Sequence, residues 1–336
     1  MLAALLLVFN LILLLNIKKF SQFFNIFDSP DGKLKLHKTK IPIVGGLILV
    51  INFSIIFFYQ ILFLNKFLGL DLNSIQGEEL FSLLLLIYGY FFLGIYDDKF
   101  HLNPLKRIFF SILITLIAIL LNKSLLVDNL SLTFFEKRIF FESFSIIFTI
   151  FCILILINSL NFYDGINGQS CLIFLVFFSY LFVISGLNFF YLICVLLILL
   201  VMILNFKNML FLGDGGIYLL GIILSISLIY EHNIQNNIIY ADEIFFLLLL
   251  PGFDLVRLTI SRSLNFKNPF IGDRNHIHHL LIKKFSLIFT NLILLFLSIL
   301  PIFLSIFLKS NFFLIFFIFI IIYFFLIQFL KSSDKK

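Results

Sequence analysis

Five short polar strings interrupt a chain otherwise dominated by Leu, Ile and Phe, and each carries side chains able to hold a cation or an anion. In "YDDKFHLNPLKR" (96–107) Asp97 and Asp98 stand side by side, with Lys99, Lys106 and Arg107 just beyond. Adjacent carboxylates at the end of an apolar helix oppose the helix dipole, which favours cations there. A solvated helix end would tolerate them. A divalent cation or a proton-accepting role would call for them, and acids beside bases suit a phosphate held with Mg²⁺.

"NSLNFYDGINGQ" (158–169) places Asn158, Asn161 and Asp164 at i, i+3 and i+6. On a helix these positions share one face, and Gly165 and Gly168 would end that helix and admit a ligand close to the backbone. The plain alternative is a helix C-terminus. "FLGDGGIY" (211–218) sets Asp214 among glycines before an apolar run. Asp is a good N-cap. The glycines would also let its carboxylate meet a metal while the next amides face a phosphate. Hard oxygen donors of this kind suit Mg²⁺ or Mn²⁺, with water and phosphate completing the shell. "PGFDLVR" (251–257) carries Asp254 and Arg257 three apart, and the spacing predicts an ion pair, with a site-lining Asp254 as the other reading.

"DRNHIHH" (273–279) gathers His276, His278 and His279, half of the 6 histidines, behind Asp273 and Arg274. Zinc would need more ligands at wider spacings, and no Cys is near. With Arg274, Lys283 and Lys284 close by, the imidazoles suit an anion such as a diphosphate. The fifth string, "SPDGKLKLHKTKIPIVGG" (29–46), adds Lys35 and His37.

Something must position these strings. The chain is 62% hydrophobic and 12% charged with mean hydropathy +1.15, a composition of the bilayer and not of water. An apolar stretch of about 20 residues crosses a bilayer. Eleven stretches qualify: roughly 1–17, 43–64, 80–96, 108–122, 144–158, 170–186, 189–205, 216–230, 244–260, 286–308 and 312–330. The N-terminal run ends in Lys18 and Lys19 without a small-residue cleavage site, so it reads as a retained span. The run 123–143 is polar enough for a hairpin outside the membrane. The three cysteines, Cys152, Cys171 and Cys194, lie in apolar runs with no metal or redox spacing.

Lys and Arg concentrate on the cytoplasmic side of such proteins. With the N-terminus outside, the inner segments hold 18 of the 24 basic residues, and the C-terminus is cytoplasmic. All five polar strings then fall on the cytoplasmic face, as loops 28–46, 97–107, 158–169, 206–216 and 261–285 of one membrane domain covering 1–336. The expected fold is all-α and polytopic, with about 11 transmembrane helices and a site on the inner membrane face.

Taken together, the motifs resemble the polyprenyl-phosphate N-acetylhexosamine-1-phosphate transferases. The likeness rests on Asp97-Asp98 with Leu102, Pro104 and Arg107, on Asn161-x-x-Asp164-Gly165, on "FLGDGG" from Phe211 to Gly216, and on "DRNHIHH"; the stretch Asp28 to Gly46 resembles the family's first cytoplasmic loop. It runs in the family's order over residues 28–280. The spacing of Lys106 and Arg107 differs slightly from the family's basic pattern.

The resemblance implies a multi-pass enzyme of the bacterial cytoplasmic membrane with its active site facing the cytoplasm. The implied reaction joins a UDP-N-acetylhexosamine to polyprenyl (undecaprenyl) phosphate with Mg²⁺, releases UMP, and begins cell-envelope glycan synthesis. The string "RNHIHH" looks like the branch using UDP-GlcNAc or a related UDP-sugar, with the peptidoglycan branch that takes a UDP-muramoyl pentapeptide as the alternative. The implied roles are metal binding by Asp214 with Asn161, proton acceptance by Asp97 or Asp98, ordering of ligands by Asp164, and substrate contacts from His276, His278, His279, Lys35, His37, Lys106, Arg107 and Arg274. Direct transfer and a covalent aspartyl-phosphate route both stay open. No nucleic-acid partner is expected, and the resemblance is compatible with a homodimer. A polytopic transporter is the competing non-enzyme class, but its ionisable groups would sit nearer the bilayer midplane. An intramembrane protease would bury its catalytic pair, and no H-E-x-x-H occurs.

Overall fold

The computed structural model describes residues 2–28, 40–64, 66–68, 70–71, 75–234, 238–266, 275–308 and 311–332. Among these residues thirteen α-helices follow in order: α1 (Leu2–Leu15), α2 (Ile17–Phe24), α3 (Gly45–Tyr59), α4 (Gly77–Phe100), α5 (Pro104–Leu121), α6 (Ser145–Tyr163), α7 (Gln169–Ile184), α8 (Phe189–Phe206), α9 (Gly213–Asn233), α10 (Ala241–Leu264), α11 (Ile277–Ile282), α12 (Leu287–Phe307) and α13 (Phe312–Ser332). Among the described residues, strands occur only as three two-stranded antiparallel ribbons. The longest pairs Asn129–Leu132 with Phe135–Phe140, so the polar run between α5 and α6 does fold as a hairpin.

Nine helical segments among the described residues are long and apolar enough to cross a membrane. The count of eleven expected from the sequence differs at two places. The first is α1 with α2, which bends by 78° at Asn16, a residue outside helical geometry at φ −116° and ψ 17°. The second is α7, whose 16 residues rise only about 24 Å, short of a bilayer core of about 30 Å.

The chain forms two compact units. The first comprises Met1–Lys123 and Gly186–Ser227, the second Ser124–Ser185 and Leu228–Lys336. In lipid, burial of apolar surface gives little drive for helix association, so close backbone approach and polar contacts matter more. The first unit uses both. Gly45 N–H donates to Phe211 O, and Gly46 N–H to Leu212 O, each at 2.9 Å. A side chain at Gly46 would collide with Gly216, and a Cβ on Gly94 would lie 2.5 Å from the Asp214 carbonyl oxygen. The starts of α3 and α9 and the last turns of α4 therefore touch backbone to backbone. Farther along, Asn10 and Asn52 exchange side-chain hydrogen bonds at 2.8 and 3.1 Å, and the Tyr90 hydroxyl meets Thr115 Oγ1 at 2.7 Å.

In the second unit, α10 packs on α6 and α12, and α12 on α7 and α13. Tyr180 donates to Glu243 at 2.9 Å, and Asn291 Nδ2 donates to the Asn167 carbonyl at 2.9 Å, tying α12 to the loop before α7.

Candidate active site

Three carboxylates and one guanidinium gather in the first unit. Asp97 and Asp98 lie in the last turn of α4, which closes on His101 in the left-handed region at φ 50°. The chain then re-enters helix at α5, where the Asn103 side chain caps Leu105 N–H at 3.0 Å and Pro104 occupies the first turn. That tight link sets Arg107 one turn into α5 and back against α4. Asp97 Oδ1 accepts the Leu102 N–H at 2.7 Å and Oδ2 accepts Arg107 Nη1 at 2.8 Å.

Asp98 turns the other way. Its Oδ1 accepts the Asp214 N–H at 2.8 Å and its Oδ2 the Gly215 N–H at 3.0 Å. A carboxylate at a helix N-terminus satisfies orphan donors and complements the dipole. Gly213, at φ +73°, takes a backbone conformation that side chains resist, and a Cβ there would meet Asp98 Oδ2 at 2.7 Å. The Asp214 carboxylate remains partly open, with its side chain 30% exposed and Oδ2 3.9 Å from Arg107 Nη1. The Arg107 Nε–H is buried with no hydrogen-bond partner among the described residues, and a phosphate oxygen would satisfy it.

One alternative falls here and one expectation changes. Asp97 does not sit at a solvated helix end; it is 4% exposed and bonded through both oxygens. Two amides of the first α9 turn, those of Asp214 and Gly215, are taken by Asp98 and not offered to a phosphate. Lys106 is exposed on α5, and among the basic residues of that loop it is Arg107 that meets the carboxylates.

The second unit holds the other polar strings. Helix α6 ends at Tyr163, so Asn158 and Asn161 share its last turns while Asp164 leaves the helix at φ −82° and ψ 79°. The single helical face expected for all three therefore stops one residue short of Asp164. Ser170 Oγ donates to Asp164 Oδ1 at 2.6 Å. Desolvation by the protein around it pushes the Asp164 carboxyl up to about 6, against the pull of Ser170. The residue stays open to solvent at its surface, which tempers that shift.

His276 precedes α11, and His278 and His279 lie in it. His276 and His278 are 6% and 1% exposed, and their rings stack at 5.3 Å. His276 Nδ1 lies 2.8 Å from Asp254 Oδ2, and His278 Nδ1 3.1 Å from Gln169 Nε2. Gly165 leaves room for His278, since any side chain there would strike its Nε2. Burial, then the neighbouring His279 and His276, hold His278 well below the usual imidazole range, so it stays neutral. The expected grip on a diphosphate thus falls on two buried rings, each already bonded at Nδ1; His279 is half-buried.

The ion pair expected inside "PGFDLVR" forms: Arg257 Nη2 meets Asp254 Oδ1 at 2.7 Å. Tyr323 from α13 also donates to Asp254 Oδ1, at 2.6 Å. Nothing in the apolar run of α13 marked Tyr323 beforehand. Gln169 and Ser170 were nearer to view, because they close and follow the string that begins at Asn158. Lys35, His37 and Arg274 lie outside the described residues. No cluster of three or more His, Cys, Asp or Glu suited to a metal occurs among the described residues.

Residues 80–232 match the family model described as glycosyl transferase family 4, a segment that contains Asp97, Asp98, Arg107, Asn161, Asp164 and Asp214. Over that segment the chain is similar to glycosyl transferase family 4. It is 25% identical over 288 residues to the undecaprenyl-phosphate alpha-N-acetylglucosaminyl 1-phosphate transferase of Yersinia pestis, covering 82% of this chain and 74% of that protein. The enzyme of the same name from Escherichia coli K12 is 24% identical over the same shares. The phospho-N-acetylmuramoyl-pentapeptide-transferase of Petrotoga mobilis is 28% identical over 77% of this chain and 80% of its own length.

Proposed function

We propose that this protein transfers an N-acetylhexosamine-1-phosphate from a UDP-sugar to polyprenyl phosphate, giving a polyprenyl-diphospho-sugar and UMP. The observation that carries this reading is the set Asp97, Asp98, Asp214 and Arg107, which lies within the family-matched segment and offers hard oxygen donors beside a phosphate-binding guanidinium.

In the reaction, an oxygen of the lipid phosphate attacks the phosphorus that bears the sugar. The bond between that phosphorus and the bridging oxygen breaks, and UMP leaves with the electron pair. Such transfers need positioning and charge neutralisation more than covalent help. Three carboxylates against one guanidinium leave the first unit's cluster negative, which suits a divalent cation. Mg²⁺ binds through one or two carboxylates plus substrate phosphates, so the absence of a three-ligand cluster among the described residues is compatible with it. Asp214, partly open, would hold it, and Mn²⁺ suits the same donor. When bound, the ion offsets diphosphate charge and stabilises the leaving UMP.

Asp97 fixes Arg107, which contacts phosphate oxygens. Asp98 fixes the start of α9 and so the aim of Asp214. Asp164, with its carboxyl raised toward the second ionisation of a phosphate monoester, takes the lipid phosphate's proton. His279, Lys106 and Arg274 contribute substrate contacts. The charge bias supports a cytoplasmic site in the inner membrane, with the N-terminus outside. A homodimer is the proposed assembly, checked by mass measurement in detergent.

The deciding experiment incubates the purified protein with undecaprenyl phosphate, Mg²⁺ and a panel of UDP-sugars, and measures UMP. Release with UDP-GlcNAc or a related UDP-HexNAc is expected. Release only with UDP-muramoyl pentapeptide would move the protein to the branch that the Petrotoga mobilis relative names, and no release with any donor would overturn the reading.

A further inference from the structure

Asp254 is 1% exposed near the middle of α10, and four groups converge on it. Oδ1 accepts Arg257 Nη2 at 2.7 Å and the Tyr323 hydroxyl at 2.6 Å. Oδ2 faces His276 Nδ1 at 2.8 Å, and the Ile277 N–H approaches both oxygens at 3.3 and 3.4 Å. Arg257 extends the set: its Nη2 donates to the Asn275 carbonyl at 2.7 Å and its Nε to the Tyr323 hydroxyl at 2.8 Å. Residues 275, 276 and 277, the entry to α11, are thus bonded to one carboxylate and its partner guanidinium.

The chemistry of the His276 contact is one-directional. An ionised carboxylate only accepts, so Nδ1 must carry the hydrogen. Arg257 already balances the charge of Asp254, so the contact asks for a proton on Nδ1 without asking for a net charge on the ring. The second nitrogen of a neutral His276 is then a lone pair. His278 is set oppositely. The Gln169 amide oxygen accepts the Gly165 N–H at 3.4 Å, which leaves its NH₂ to donate to His278 Nδ1. With both rings neutral, the contacts call for opposite tautomers, and the second nitrogens then differ in kind: an acceptor on His276 and a donor on His278.

We infer that Asp254 is a positioning residue that locks His276 in its Nδ1–H tautomer, so that Nε2 of His276 serves the transfer reaction as a hydrogen-bond acceptor for a hydroxyl or amide N–H of the sugar donor. This rests on the transferase reading for its functional half only. A ring that accepts at Nε2 recognises the donor's O–H or N–H groups and not its phosphate oxygens, which themselves only accept.

The test combines a spectrum with kinetics on the full-length protein. With ¹⁵N-labelled histidine, His276 is assigned by difference against His276→Gln. An unprotonated-type Nε2 and a protonated Nδ1 are expected at neutral pH, moving to the other tautomer in Asp254→Asn. In the transfer assay, Asp254→Asn should lower kcat/KM by about 100-fold, a loss on the scale of acid–base positioning. Asp254→Glu, which restores a carboxylate, should recover about tenfold of it. The double variant Asp254→Asn/His276→Gln should be no worse than His276→Gln alone, because residues acting as a unit are not additive. A protonated Nε2 on His276 in the wild-type spectrum overturns the assignment even where Asp254→Asn fails to fold. Fully additive losses overturn its functional half. Absence of any transfer by the wild type would instead refute the transferase reading and leave the tautomer result standing.

Discussion

Asp98, at the end of α4, is the N-terminal cap of a helix that begins 115 residues later: its two carboxylate oxygens accept the N–H groups of Asp214 and Gly215 at 2.8 and 3.0 Å. Asp214 is thus aimed by its own backbone bond to a neighbouring aspartate. The pair Asp97-Asp98 divides its work, one carboxylate holding Arg107 and the other holding α9.

Asp98→Asn keeps the size but loses the charge and one acceptor. Hydrogen bonds to charged groups contribute about 1.5–3 kcal/mol. A comparable loss of stability is expected, together with a fall in activity of about 100-fold or more as Asp214 loses its aim. Cys171 and Cys194 are buried, so a thiol-reactive dye in a thermal ramp reads the unfolding directly.

Asp214→Ala should abolish UMP release while the protein still inserts and unfolds at close to the wild-type temperature. Mn²⁺ titration followed by electron paramagnetic resonance should show weaker binding in the variant. Normal activity, or unchanged Mn²⁺ binding, would sink the metal assignment.

Gly46→Ala tests the backbone contact between α3 and α9. A methyl there strikes Gly216, whereas one at Gly77 meets nothing within 4 Å. Overpacking of this kind costs about 1–3 kcal/mol. Gly46→Ala should lower the unfolding temperature, and Gly77→Ala should leave it within about 0.5 kcal/mol of wild type.

Asp164 predicts a pH dependence with a definite sign. Its folded-state carboxyl lies above its ordinary value, so the folded protein binds this proton more tightly than the unfolded chain does. Stability from this group is therefore greatest at low pH and falls as pH rises from about 3.8 to about 6, then levels off. Activity should run the other way if Asp164 accepts a proton, with kcat/KM rising through about pH 6. Asp164→Asn should remove that limb from the pH–rate profile. A limb that persists in Asp164→Asn belongs to another group.

Sequence alone determined a great deal here, because bilayer crossing and backbone satisfaction leave a chain few options. Apolar runs of sufficient length marked the helices, and the polar strings at their ends marked Asp97, Asp98, Asp164, Asp214 and the histidines as the chemistry-bearing residues. The Asp254–Arg257 pair was legible because helical neighbours three apart must meet. Tertiary structure alone decided which partner each group takes. Nothing local says that Asp98 reaches α9 and Asp97 reaches α5, or that Tyr323, hidden in an apolar helix, closes on Asp254. The number of full spans was also decided there, since a 78° bend after α1 and the 16 residues of α7 are properties of backbone geometry that average hydropathy does not register. Periodicity reports which face of a helix is apolar; a hydrogen bond between residues more than a hundred positions apart depends on how helices pack, and that is a property of the whole fold.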